Sequence, residues 1–253
     1  MTIYEQPLHE KTRVLLRLEQ LVRRFDFHIR DDQRASSEAS LLNLLELYNL
    51  AARLDLKSEI LKEIDRQALV VKFRRENGMI DLHSEGDILE TLSEVNAKLY
   101  ALPGPLGQRL KNHGFFNVLR QRSNLPGGIN GFDIPLLQYW LNKPADARIK
   151  DLSQLVEPYR IANEAVQVIL LLIRGCSQGD KMIAKNGFYQ ATLPQKPLSQ
   201  LLRVEIANDV NYYPEISAGK QRFSIRFVEM DGLEERGKQV MEDVEFRLTL
   251  CSF

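Results

Sequence analysis

Arginines spaced two or four apart on a strand are suited to gripping carboxylates. The stretch Lys220–Phe227 reads Lys-Gln-Arg-Phe-Ser-Ile-Arg-Phe. Strand side chains alternate between faces. Gln221, Phe223, Ile225 and Phe227 then share one face, and Lys220, Arg222, Ser224 and Arg226 the other. The first face closes a core. The second presents three cations in a row spanning roughly 20 Å at the rise of a strand. A guanidinium pairs with carboxylates bidentately and is less strongly hydrated than an ammonium, so this row suits recognition of an anionic partner. Outer strand faces also carry Lys and Arg for solubility alone, and both readings stand at this point.

Other strands extend the pattern. Leu202, Val204 and Ile206 alternate with Arg203 and Glu205, and Val244, Phe246, Leu248 and Leu250 alternate with Glu245, Arg247 and Thr249. Clean alternation predicts an antiparallel sheet with one face on a core and one in water. On that wet face Arg203, Lys220, Arg222, Arg226 and Arg247 stand against Glu205 and Glu245. A helical stripe of Arg13, Arg17, Gln20 and Arg24 adds further cations. Like charges at i, i+4 repel, so this stripe calls either for acids from elsewhere or for a ligand. Arg120 and Arg122 end a short helix ahead of the turn-rich Leu125–Gly131.

Catalytic signatures are sparse. Gly219-Lys220 is followed by Gln221, which breaks any phosphate-binding loop. Gly127-Gly128 and Gly131 resemble half of a dinucleotide fingerprint but follow a helix rather than a strand, so they read as a turn. His9, His28, His83 and His113 are scattered, and the sequence implies no metal and no cofactor. His28 with Asp31 and Asp32 reads as a solvated loop. No residue pattern supplies an acid, base or nucleophile, which points to a binding module rather than an enzyme. A hydrolase centred on Asp133 and a nucleic-acid binder using the same arginines are the rival readings. Against the second, Phe223 and Phe227 fall on the apolar face, away from the cations, whereas sheet-type binders stack bases on exposed aromatics.

The elements that must carry these residues change period along the chain. Spacings of 3 and 4 predict helices over 8–25 (Leu15, Leu18, Val22, Phe25), 41–54, 58–75, 84–101, 106–111, 115–122, 133–141, 146–155 and 159–174. Asp55 or Ser58 caps the third, Asn77-Gly78 stops it, Asp133 caps the seventh, and Trp140 reads as a core anchor. Residues 28–37 read as a loop. After Gly175 the period becomes 2. Helices followed by strands predict an α+β fold: an α-helical domain over 1–183, then a small antiparallel β domain over 184–253 carrying the basic face. The segment 230–243 reads as a mobile acidic loop.

The 253 residues hold 34 Lys+Arg and 34 Asp+Glu, a balance that argues against a general nucleic-acid binder. Cys176 and Cys251 form no framework, which fits a reducing compartment. The N-terminus lacks a basic segment followed by an apolar run. The longest apolar run, Val168–Ile173, falls far short of the ~20 residues that span a bilayer. A soluble, cytoplasmic protein with no membrane partner is expected.

Taken together, several segments resemble one family. They are Glu10-Lys11 with Arg13 and Leu16-Arg17-x-Glu19, then Arg120-Gln-Arg with Pro126-Gly-Gly, then Phe132-Asp-x-Pro135 with Trp140-Leu141. Asn186-Gly-Phe-Tyr-Gln190 follows, and then Pro214-x-Ile-Ser with Lys220-x-Arg-Phe-x-Ile-Arg-Phe227. In this order they are similar to the bacterial cell-division protein family ZapD, from about Glu5 to Phe253. The resemblance implies a cytoplasmic homodimer at the mid-cell division site. It also implies binding of the C-terminal tail of FtsZ and bundling of FtsZ filaments. The family's basic site matches Arg222, Arg226 and Arg17, and the motif around Arg120 and Arg122 matches as well. Where some relatives carry an arginine and a histidine, this chain has Gly114 and Gln138, with Lys111 and His113 as the nearby candidates to substitute.

Overall fold

A computed structural model describes residues 1–53, 55–77, 82–123, 125, 126, 128–175, 178–230, 232 and 237–253, with the backbone alone for Arg53 and residues 82–87. Gly78, Gly127 and Cys176, named above, and Asp231, Glu234 and Glu235 of the segment expected as an acidic loop, lie outside the described residues. The chain runs β1 (Thr2–Pro7), α1 (Glu10–His28), α2 (Arg34–Arg53), α3 (Leu56–Glu76), α4 (Leu82–Ala101), α5 (Gln108–Lys111), α6 (Gly114–Arg122), α7 (Pro135–Leu141) and α8 (Ala145–Gly175). It continues through β2 (Asp180–Ala184), β3 (Phe188–Thr192), β4 (Leu201–Ile206), β5 (Tyr212–Ala218), β6 (Arg222–Glu229), β7 (Lys238–Gln239) and β8 (Val244–Cys251). The α+β class read from the sequence is the class observed. Two compact units form: Leu15–Ile169, and Met1–Val14 with Leu170–Phe253. The first residues join the strands because β1 pairs along β4, from Thr2 opposite Ile206 to Pro7 opposite Leu201.

In the helical unit, α1 buries Leu15, Leu18, Val22 and Phe25, the stripe its spacing implied. Helix α2 starts at Arg34, seven residues before the expected Leu41, and of the loop expected over 28–37 only residues 29–33 lie outside the helices. The backbone N–H of Gln33 and the hydroxyl of Ser36 donate to the Asp31 carboxylate at 3.1 and 2.7 Å. Asp55 caps α3 as expected, accepting from the Ser58 N–H at 3.2 Å. Asp133 caps nothing: Ile134 holds the N-cap of α7 and Pro135 opens the helix, where a missing N–H is harmless. Trp140 is buried and donates its indole N–H to Asp151 at 3.0 Å.

The two helices expected over 146–155 and 159–174 are one, α8, running through Pro158. An interior proline costs about 3 kcal/mol. Val156 and Tyr159 beside it, then Ala162, Val166 and Ile169, are wholly buried. Each fully buried aliphatic side chain stabilises by about 1.5–3 kcal/mol, so packing on both sides of the proline outweighs the break.

The Asp31 hydrogen bonds set a pH dependence. Hydrogen bonds from Ser36 and Gln33 lower its pKa below the ordinary 3.8. A carboxylate depressed by folding stabilises fully above its unfolded value and loses that contribution as pH falls through its folded value. Thermal melts of the parent protein and of Asp31→Asn are therefore expected to differ at pH 6 and to converge as pH drops well below 3.8. A constant difference at every pH contradicts this role for Asp31.

The second unit corrects the single sheet expected from alternation. Its strands form two antiparallel sheets, ordered β1-β4-β8-β2 and β3-β6-β5, with β7 on β6. Leu202, Val204, Ile206, Phe246 and Leu248 from the first sheet meet Phe223, Ile225 and Phe227 from the second in one core. The Phe227 and Phe246 ring centroids lie 5.2 Å apart. The chain passes from one sheet to the other through Asn186-Gly187, both at positive φ.

Candidate partner-binding face

Strand β6 begins at Arg222, two residues later than the sequence suggested. Lys220 is exposed in the turn between β5 and β6, where the Gly219 N–H donates to the Arg222 carbonyl at 2.9 Å. The row of three cations is thus two arginines on a strand and a lysine in the adjoining turn. Burial of Phe223, Ile225 and Phe227 turns Arg222, Ser224 and Arg226 outward.

Directly opposed residues of an antiparallel pair share a face, so the register defines the surface around them. Thr192 lies opposite Arg222, Gln190 and Ser217 flank Ser224, and Phe188 and Glu215 flank Arg226. The arginine Cα atoms are about 13 Å apart along the strand at its usual rise. Between them runs a lane of uncharged side chains, Gln190, Ser224 and Ser217, able to donate and accept hydrogen bonds.

The two arginines differ in state. Arg222 is exposed and has no ion-pair partner among the described residues. Arg226 donates from Nε to Glu215 Oε2 at 3.1 Å, and the two side chains remain 48% and 44% exposed. Exposed ion pairs contribute up to about 1 kcal/mol, so this one is exchangeable. Phe188, 41% exposed beside Arg226, adds an apolar surface to the charged face expected from the sequence. Its parity on β3, counted from the Asn186-Gly187 turn, was the available signal.

The other expected cations are placed elsewhere. Arg203 and Arg247 belong to the first sheet, whose inner side faces that of β6, so they cannot share a surface with Arg222 and Arg226. Arg203 is 18% exposed with Nε 3.3 Å from Glu5, a carboxylate that Arg174 also holds at 2.8 Å. Arg247 donates to the Gly179 carbonyl at 2.9 Å. In the helical unit, Arg17 and Arg24 both reach Glu46 of α2 at 3.2 Å, so the arginine stripe of α1 does find an acid from elsewhere. Arg13 lies 3.5 Å from Glu10 on its own helix. Arg120 stacks on the Tyr48 ring at 5.4 Å and donates to its hydroxyl at 3.3 Å.

Gly114 is exposed at the start of α6, with nothing near the position a side chain would take. Beside it, His113 accepts the Phe116 N–H on Nδ1 at 3.4 Å and lines a cavity of about 300 Å³ with Arg109, Lys143, Phe115 and Trp140. Lys111 is exposed. Among the described residues no group of three or more His, Cys, Asp or Glu is placed to hold a metal ion. No described helix is long and apolar enough to cross a membrane.

The described residues form helices and a two-sheet unit whose outer strand face carries two exposed arginines. Comparison with known proteins gives that architecture a family. The family model described as "ZapD: Cell division protein" matches residues 16–226. Proteins named Cell division protein ZapD from Ralstonia nicotianae and Chromobacterium violaceum are 35% and 34% identical to this chain, with all of each chain aligned. The one from Coxiella burnetii is 32% identical over 98% of this chain and 96% of its own. The chain belongs to the ZapD family of cell division proteins.

Proposed function

We propose that this protein binds the C-terminal tail of FtsZ through Arg222 and Arg226 and, as a cytoplasmic homodimer at mid-cell, cross-links FtsZ filaments into bundles. The observation that carries the reading is the outward arginine pair on β6, with Arg222 open, in a member of a cell-division family. The arginines orient the tail's carboxylates. Phe188 offers its apolar side chains a contact, and the Gln190–Ser224–Ser217 lane takes its polar groups. Arg17, Arg13 and Lys220 are further contacts in this proposal. Arg120, Arg203 and Arg247 contribute through the internal contacts they make.

A disordered tail loses entropy on binding, so each engagement is weak. A twofold dimer repeats the site, and a polymer displaying many tails converts two weak engagements into a strong one without any new contact. Sedimentation of filaments built from full-length FtsZ and from FtsZ lacking its tail tests the reading. Bundles are expected with the first and not the second. Their yield is expected to fall as salt rises, because exposed charges are screened beyond ~8 Å at 0.15 M. Equal bundling of tail-less filaments overturns the proposal.

A further inference from the structure

We infer that Glu215 is a resident competitor for Arg226: it occupies the guanidinium in the unbound protein and must be displaced by a carboxylate of the incoming tail. The inference rests on the preceding reading of the face and concerns how that site is regulated. Three observations carry it. Glu215 stands directly opposite Arg226 in the β5–β6 register, and one oxygen, Oε2, takes the guanidinium from both Nε and Nη2. The pair is close to half-exposed on both sides, so a ligand can reach it and Glu215 can turn to water. Arg222 has Thr192 opposite it instead of an acid.

The two arginines therefore do different work. The open Arg222 makes the first contact with an anionic ligand. Arg226 is available only to a group that binds it better than Glu215 does. A tail that places one carboxylate against each guanidinium meets that condition, and a lone weakly held anion does not. Glu215 also places a negative charge beside the arriving acidic chain, which lowers the affinity of every engagement. For a cross-linker this keeps individual tails exchangeable while the two sites of a dimer together hold a filament.

The test uses the full chain and a peptide with the sequence of the FtsZ tail, titrated by fluorescence anisotropy. Glu215→Gln is expected to bind roughly two- to fivefold more tightly, the size of one exposed ion pair. Glu245 is an exposed acid of β8 on the other sheet, and Glu245→Gln makes the same change in net charge. It is expected to bind as the parent does. Melting temperatures confirm that both variants fold. Unchanged or weaker binding by Glu215→Gln overturns the inference, because Glu215 would then be idle or would orient Arg226. Equal tightening in both variants overturns it too, since net charge alone would then explain the gain. Parent-like binding by Arg226→Ala instead removes the site itself, so the two failures are read from different proteins.

Discussion

With Arg226→Glu, FtsZ filaments are expected to pellet no more than they do alone, while the variant keeps its native mass and a melting temperature within a few degrees of the parent's. The expected loss follows from the chemistry of the face. A hydrogen bond to a charged group contributes about 1.5–3 kcal/mol, and each 1.4 kcal/mol is a factor of ten in affinity. Losing one such contact weakens a tail engagement about ten- to a hundredfold, and the introduced carboxylate repels the acidic tail as well. In the proposed dimer a bundle needs both sites engaged, so the weakening enters twice. The fold is insulated from the change, because Ile225 and Phe227 keep their places in the core and Arg226 is exposed. The local cost is a like-charge pair with Glu215 across the strands, up to about 1 kcal/mol. That is small against the usual 5–15 kcal/mol of a domain. Bundling at the parent's level takes Arg226 out of the site, and a collapsed melting temperature makes the result one of folding.

The orientation of Arg222 and Arg226 followed from period two alone, since Phe223, Ile225 and Phe227 cannot be buried without turning the arginines outward. The grouping of those arginines with Arg203 and Arg247 did not survive. It required knowing which strands share a sheet, and pairing between distant segments leaves no mark in local alternation. Strand β5 went unread because Pro214 sits inside it, and a proline is tolerated there only because β5 is an edge. With β5 unread, Glu215 had no visible relation to Arg226, and the most informative contact on the face was hidden. The helical errors have a similar origin. Pro158 is a local break overridden by burial along α8, and the start of α2 was masked because Asp31 and Ser36 look like loop residues until they bond to each other.

Gly187→Ala is expected to destabilise the strand-bearing unit by about 3 kcal/mol or more, through backbone strain together with overpacking. Gly187 has φ 69°, in the left-handed region where an L side chain is strained, and follows Asn186 at φ 49°. Asn-Gly is the pair that a tight turn with both residues at positive φ demands. Space is lacking as well as conformational freedom: a Cβ on Gly187 would lie 2.2 Å from the Val240 carbonyl oxygen, a backbone atom that cannot swing away. Relief requires moving the segment around Val240, whose N–H donates to the Phe227 carbonyl at 3.0 Å, or giving up the bond from the Phe227 N–H to the Gly187 carbonyl at 2.8 Å. Either movement disturbs β6 at Phe227, next to Arg226, and it shifts Phe188, which lies opposite Arg226. The variant should therefore lose bundling together with stability, in contrast to Arg226→Glu, which loses bundling alone. Asn186→Gly keeps the turn's conformation open to the chain and should leave the urea midpoint within a few tenths of a molar of the parent, since the scale is about 1–3 kcal/mol per molar of urea. A Gly187→Ala protein that unfolds at the parent's urea concentration contradicts this turn and, with it, the placement of Phe188 beside Arg226.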